Sequence, residues 1–94
     1  MEWKDTTSYS QGKERIQSAW SLETSEIRIT VMNKHRHYPN KWIMHCYRLG
    51  MQEVELKIPF ESNTECAQIE ALNLVGRELD GIQKTILSAL IKSN

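Results

Sequence analysis

Cysteine and proline are scarce in this chain, which contains two of each among 94 residues. Cys46 and Cys66 are too few for a disulfide scaffold, so both are expected to be thiols buried in a core. The apolar runs are far shorter than the roughly 20 residues needed to cross a bilayer. Met1 is followed by Glu2 and Asp5 instead of a basic, apolar leader. The sequence therefore predicts a soluble, cytoplasmic protein without membrane contact.

Signatures of catalysis are also missing, because the sequence has no glycine-rich phosphate loop and no glycine-framed serine. Cys46 follows His45 directly, but neighbouring residues on a strand point to opposite faces, so the imidazole is not expected to activate the thiol. His35, His37 and His45 are possible metal ligands, but Arg36 between the first two would repel a cation. We therefore predict a non-enzymatic protein with no catalytic residue, metal or cofactor.

The charges are balanced overall but unevenly distributed. The net charge is zero, whereas residues 27–50 contain five basic residues, no acidic residue and all three histidines. Zero net charge disfavours nucleic-acid binding, because a nucleic-acid-binding protein must neutralise many phosphates. The positive middle third is the most distinctive feature of the sequence, and it favours a positively charged binding surface.

The length is typical of one domain, because a chain this size can close a single hydrophobic core. We predict one domain over 1–94, with an N-terminal arm at 1–12, an antiparallel sheet at 13–59 and a C-terminal helix at 62–92. Trp3 is expected to dock the arm on the domain, together with Tyr9.

Period-two alternation of apolar residues predicts the strands at 16–22, 27–32, 41–49 and 54–58. Short turns between consecutive strands favour a meander. The predicted fold class is α+β, an antiparallel sheet of three to four strands packed against a long C-terminal helix.

Ser62 and Glu65 have the spacing of a capping box, which predicts that the helix begins there. Gly81 weakens the helix, so a kink or break near it is an alternative to one straight helix. The residues expected to cover the sheet recur at spacings of three and four: Ile69, Leu72, Val75, Leu79, Ile82, Ile86 and Leu90. Because the helix extends past a small sheet, self-association through its end is predicted to use Leu87, Leu90 and Ile91.

The turn between the second and third of these strands is predicted to form a basic hairpin that projects from the sheet. Its candidate binding residues are Lys34, Arg36, His37, Tyr38, Lys41 and Trp42. Basic residues interleaved with aromatic rings suit phosphate contacts and base stacking. The alternative reading is a solvated turn that keeps the end of the sheet soluble, with Trp42 and Tyr47 in the core.

Four segments carry a resemblance to known proteins: the run from Trp3 through Arg15, followed by Trp20-Ser-Leu, Ile27-Arg-Ile and Trp42-Ile-Met-His-Cys. Together they resemble small uncharacterised proteins encoded by phages and prophages. The resemblance implies a phage accessory protein, a class that often binds and blocks a host factor, and it transfers no functional residue. The first hypothesis is thus a small binding protein that engages a protein partner, either alone or as a homodimer. The alternative is a nucleic-acid-binding module that uses the basic hairpin.

Overall fold

The structure of the chain, a computed structural model, describes residues 2–7 and 17–92. Tyr9, predicted to help dock the arm, lies outside the described residues. The described residues form five strands and one helix: β1 (Lys4–Asp5), β2 (Ala19–Glu23), β3 (Arg28–Met32), β4 (Ile43–Cys46), β5 (Met51–Glu55) and α1 (Thr64–Lys92).

The strands form one antiparallel sheet in the order β1-β2-β3-β4-β5. The predicted α+β class and meander are therefore confirmed, although the sheet has more strands than expected. The additional strand is β1, in the predicted arm. It pairs with β2 because the Thr6 N–H donates to the Ala19 carbonyl at 2.9 Å, and the Thr7 hydroxyl accepts the N–H groups of Ser18 and Ala19.

The core lies between one face of the sheet and the first half of α1. Ile29 and Val31 point inward from β3, and Met44 and Cys46 point inward from β4. They pack with three helix residues spaced four apart: Ala67, Ala71 and Val75. Two alanines at this contact let the helix backbone approach the sheet closely. Because α1 packs on this face only, the other face of the sheet is open.

The predicted third strand is shorter than expected. It ends at Cys46, and Tyr47–Leu49 forms a single 3-10 turn that closes at Gly50 with a φ of 69°. Because that turn occupies so few residues, β5 begins at Met51, earlier than predicted. The pairing of β5 with β4 shifts register near Glu53, whose φ is 51°. This bulge turns the edge strand away from regular pairing.

Helix α1 begins with a cap different from the predicted capping box. The Cys66 N–H donates to the Asn63 side-chain oxygen at 2.9 Å, so Asn63 takes the role expected of Ser62. The helix then runs through Gly81 without the predicted break. Between residues 2–7 and 17–92, no helix combines the length and hydropathy required to span a bilayer.

The apolar stripe predicted to cover the sheet does not do so within one chain. Val75 is its only buried member; the others are between 40 and 59% exposed. The helix is 29 residues long, or about 43 Å, and it extends beyond the sheet. Every residue from Gly76 to Lys92 is exposed. The prediction was wrong because the shorter side chains of Ala67 and Ala71, not the large apolar ones, form the sheet contact.

Candidate binding surface

The sheet face opposite α1, which we call the outer face, carries a row of hydroxyl groups. The Thr6 and Ser21 hydroxyls lie 2.9 Å apart, and those of Ser21 and Thr30 lie 2.8 Å apart. The row crosses β1, β2 and β3, and His45 on β4 is the register partner of Thr30. The outer face is therefore polar and hydrogen-bonded from strand to strand.

A groove of about 310 Å³ lies on the outer face beside this row. Its walls come from β3, β4 and the 3-10 turn: Arg28, Thr30, Met32, His45, Tyr47 and Arg48. Arg28 lies 3.6 Å from Glu23, but both side chains are more than half exposed, so this ion pair is weak. The groove thus combines two guanidinium groups, an aromatic ring and a thioether.

Tyr47 is the most exposed large aromatic residue among the described residues, at 65%. Its ring stacks on His45, with centroids 5.4 Å apart and planes inclined by 18°. The 3-10 turn positions both Tyr47 and Arg48 at the end of β4, because Gly50 accepts the left-handed conformation that closes the turn. The stack leaves one face of the Tyr47 ring available to a ligand.

The surroundings of His45 favour its neutral form. Burial and the neighbouring His35 lower the pKa of His45, whereas the charge of Glu53 opposes the shift. The Glu53 backbone N–H donates to His45 Nδ1 at 3.2 Å, which leaves Nε2 to carry the proton of the neutral ring. The stacking platform under Tyr47 is consequently an uncharged imidazole near neutral pH.

Residues 33–42 connect β3 to β4, which pair antiparallel, so the predicted hairpin is confirmed. We call this connection the basic loop. It folds back on the outer face instead of projecting freely: the His35 ring lies 6.0 Å from His45, and His35 Nε2 lies 3.3 Å from Glu53 Oε1. Asn40, with a φ of 61°, makes the last turn of the loop. The basic loop and the groove are therefore neighbours.

The loop presents some of its predicted binding residues to solvent. Lys34, Arg36 and His37 are exposed, whereas Tyr38 is partly buried and packs on His35 with ring centroids 5.1 Å apart. Among the described residues, no ion pair involves Lys34 or Arg36. Both side chains can therefore contact a partner directly.

Two predicted binding residues are engaged within the chain. Trp42 is 3% exposed, packs against Trp20 at 5.9 Å between centroids, and donates its indole N–H to the Phe60 carbonyl at 3.2 Å. Lys41 lies 2.9 Å from Glu55, and its hydrogen bond and charge lower the pKa of that carboxyl group. The structure thus places Trp42 in the core, where it cannot stack on a ligand.

The cysteine and histidine residues do not assemble a reactive centre in the described parts of the chain. Cys46 is fully buried, and burial raises the pKa of its thiol, while His45 points to the outer face. Within residues 2–7 and 17–92, no three His, Cys, Asp or Glu side chains are placed to hold a metal ion.

The groove residues escaped the sequence analysis for an identifiable reason. Arg28 and Thr30 alternate along the polar side of β3, but their proximity to Tyr47 and Arg48 depends on the register of β3 with β4 and on the 3-10 turn. The positive middle third, which contains both arginines, was the only available signal for the groove. Comparisons with protein-family models, curated proteins and solved structures gave no match.

Proposed function

We propose that this protein is a non-enzymatic binding protein that holds an acidic segment of a partner protein in the outer-face groove. The observation that carries the proposal is the exposed Tyr47 ring, fixed on His45 in a groove shared by Arg28 and Arg48. Tyrosine and arginine are enriched at interfaces and at the residues that contribute most binding energy. The neighbouring loop cations Lys34 and Arg36 extend the same positive surface.

The chemistry of the groove suits a carboxylate-bearing peptide. Each guanidinium group can take a carboxylate through two parallel hydrogen bonds, which fixes orientation as well as charge. Met32 and Tyr47 offer apolar contact between the two cations. A partner segment with acidic residues around an apolar or aromatic side chain therefore complements the groove.

The resemblance to phage-encoded proteins favours a protein of the host cell as the partner. That origin of the partner stays a prediction. The proposal for the groove does not depend on it, because it rests on the residues that line the groove.

Site-specific photo-crosslinking tests the proposal. A benzophenone amino acid replaces Tyr47 in cells that produce the protein, and crosslinked species are identified by mass spectrometry. The matched control carries the same group at Lys84, an exposed helix residue far along the chain. We expect one protein with an acidic segment to crosslink through position 47 only. Equal crosslinking from both positions, or none from position 47, would contradict the proposal.

A direct binding measurement complements the crosslinking. A fluorescently labelled acidic peptide with a central phenylalanine is titrated by anisotropy against the native protein and the double variant Arg28→Ala/Arg48→Ala. Losing two charge-assisted contacts should weaken binding by about tenfold to a hundredfold. The double variant Arg77→Ala/Lys84→Ala is the control, because it removes the same charge from α1.

A nucleic-acid-binding module is the second candidate, because an aromatic ring flanked by arginines also suits base stacking. The burial of Trp42 and the ion pair of Lys41 remove two of the six residues on which that hypothesis first depended. Oligothymidine and oligouridine in the same anisotropy assay distinguish the candidates. Tight binding that falls steeply with salt would favour nucleic acid.

A further inference from the structure

The second half of α1 exposes a large apolar surface in the single chain. The large aliphatic residues of this half are between 40 and 75% exposed: Leu79, Ile82, Ile86, Leu87, Leu90 and Ile91. Leu79, Ile82, Ile86 and Leu90 lie on one side of the helix and together present on the order of 400 Å² of apolar area, within the range of the largest patch on a typical monomer. A stable interface covers about 800 Å² per partner, so contacts outside these four residues must supply the rest.

The apolar residues in this region follow a heptad pattern. They are spaced alternately by three and four positions: Leu72, Val75, Leu79, Ile82, Ile86 and Ala89. That spacing produces the seam by which one helix packs along another. Arg77, Asp80, Lys84 and Ser88 lie on the opposite side of the helix, which is polar along most of its length and apolar at Leu87 and Ile91.

We propose that two copies of this chain form a homodimer in which residues 76–92 of each α1 pair antiparallel, centred near Lys84. In this register Ile82 packs against Ile86 of the second copy, and Leu79 packs against Ala89 of the second copy. The two-fold axis repeats both contacts, which gives two central layers of paired isoleucines flanked by two layers that pair leucine with alanine.

Charge complementarity selects the antiparallel arrangement. Glu78 and Lys92 lie on the same flank of the seam, one near each end of the exposed segment. Antiparallel pairing places Glu78 of each copy beside Lys92 of the other, which forms two symmetric ion pairs. Parallel pairing would place Glu78 opposite Gln83, so neither of these ion pairs would form.

A cleft in each copy supplies the remaining contact. This apolar cleft of about 270 Å³ lies between α1 and the hairpin of β2 and β3, with Ile27, Leu72 and Gly76 among its lining residues. The antiparallel register places Leu90 of the second copy opposite Gly76, where a side chain would meet no atom within 4 Å. Leu90 can therefore fill the cleft. Of the predicted self-association residues, only Leu90 joins the pair, because Leu87 and Ile91 lie seven positions after Asp80 and Lys84, on the opposite side of the helix.

The mass of the full chain in solution tests the dimer. Light scattering coupled to size exclusion is expected to give twice the 11.0 kDa chain mass. The double variant Ile82→Lys/Ile86→Lys should raise the dissociation constant roughly a hundredfold or more, because it places charges in the central layers. The control Asn73→Lys/Ser88→Lys adds the same charge outside the seam and should remain dimeric. A monomeric native chain, or a dimer that survives the seam variant, would overturn the proposal.

Charge exchange tests the orientation. Glu78→Lys should weaken the dimer by about tenfold, since two pairs are replaced by repulsion, and Glu78→Lys/Lys92→Glu should restore it. A dimer that is indifferent to both changes would refute the antiparallel register. Far-UV circular dichroism confirms that each variant retains its helix. The groove on the outer face is not involved, so this inference stands or falls independently of the proposed function.

Discussion

Replacing Trp42 tests whether it belongs to the core or to the binding surface. The residue is 3% exposed and packs on Trp20, so Trp42→Ala removes a large buried ring and should cost about 3–5 kcal/mol of unfolding free energy. Trp42→Phe keeps a smaller ring but loses the hydrogen bond to the Phe60 carbonyl. Its expected cost is about 1–2 kcal/mol. The free energy of unfolding of a domain is only about 5–15 kcal/mol in total, so the alanine variant should be marginally folded.

The assay is urea unfolding followed by far-UV circular dichroism, because the substitution removes a fluorophore. Protein concentration is held constant, since association would change the apparent stability. Tyr47→Ala is the matched control: at 65% exposure it should cost less than about 0.5 kcal/mol while abolishing capture through the groove. The reasoning is refuted if Trp42→Ala unfolds at the native midpoint, or if Tyr47→Ala is the more destabilising of the two.

Three further measurements address the helix and the histidine platform. Asn63→Ala should lower the unfolding free energy measured in urea by about 1 kcal/mol, because the Cys66 N–H loses its acceptor. Ser62→Ala should lower it much less. The opposite order would support the capping box predicted from the sequence. Ala71→Leu should cost about 1–3 kcal/mol by the same assay, because the added atoms enter the closest helix–sheet contact, and a neutral result would mean a looser core. Folding lowers the pKa of His45. The contribution of His45 to the unfolding free energy is therefore present at pH values above its pKa in the unfolded chain, and it is lost as the pH falls through its pKa in the folded chain. His45→Gln should therefore flatten the dependence of unfolding free energy on pH below about 6.5, and an unchanged slope would contradict this.

The strand order was predictable because the chain alternates clearly and its turns are short. Ile29 and Val31 identify β3 from their spacing alone, and the hairpin leading to β4 follows from the break at Pro39 and Asn40. The two-residue strand β1 carries no such periodicity. It depends on the hydroxyl of Thr7, whose partners are distant in sequence, so local patterns could not reveal it.

The helix shows why periodicity identifies an element better than its packing. Large apolar residues predicted α1 correctly, but they did not show which side meets the sheet. Ala67 and Ala71 form that contact because small side chains permit close approach, and hydropathy gives little weight to alanine. For the candidate binding surface, Lys34 and Arg36 are exposed as expected, whereas the groove could not be predicted because it depends on the strand register and on the turn at Gly50.

Both edges of the sheet are poor templates for strand addition. Within the described ranges, β1 offers only Lys4 and Asp5 to a further strand, and the bulge at Glu53 interrupts the opposite edge. A long, flat edge invites fibril growth, and short or twisted edges suppress it. This sheet is therefore protected from open-ended polymerisation, and any assembly it enters should use side-chain surfaces and close at a defined number of subunits.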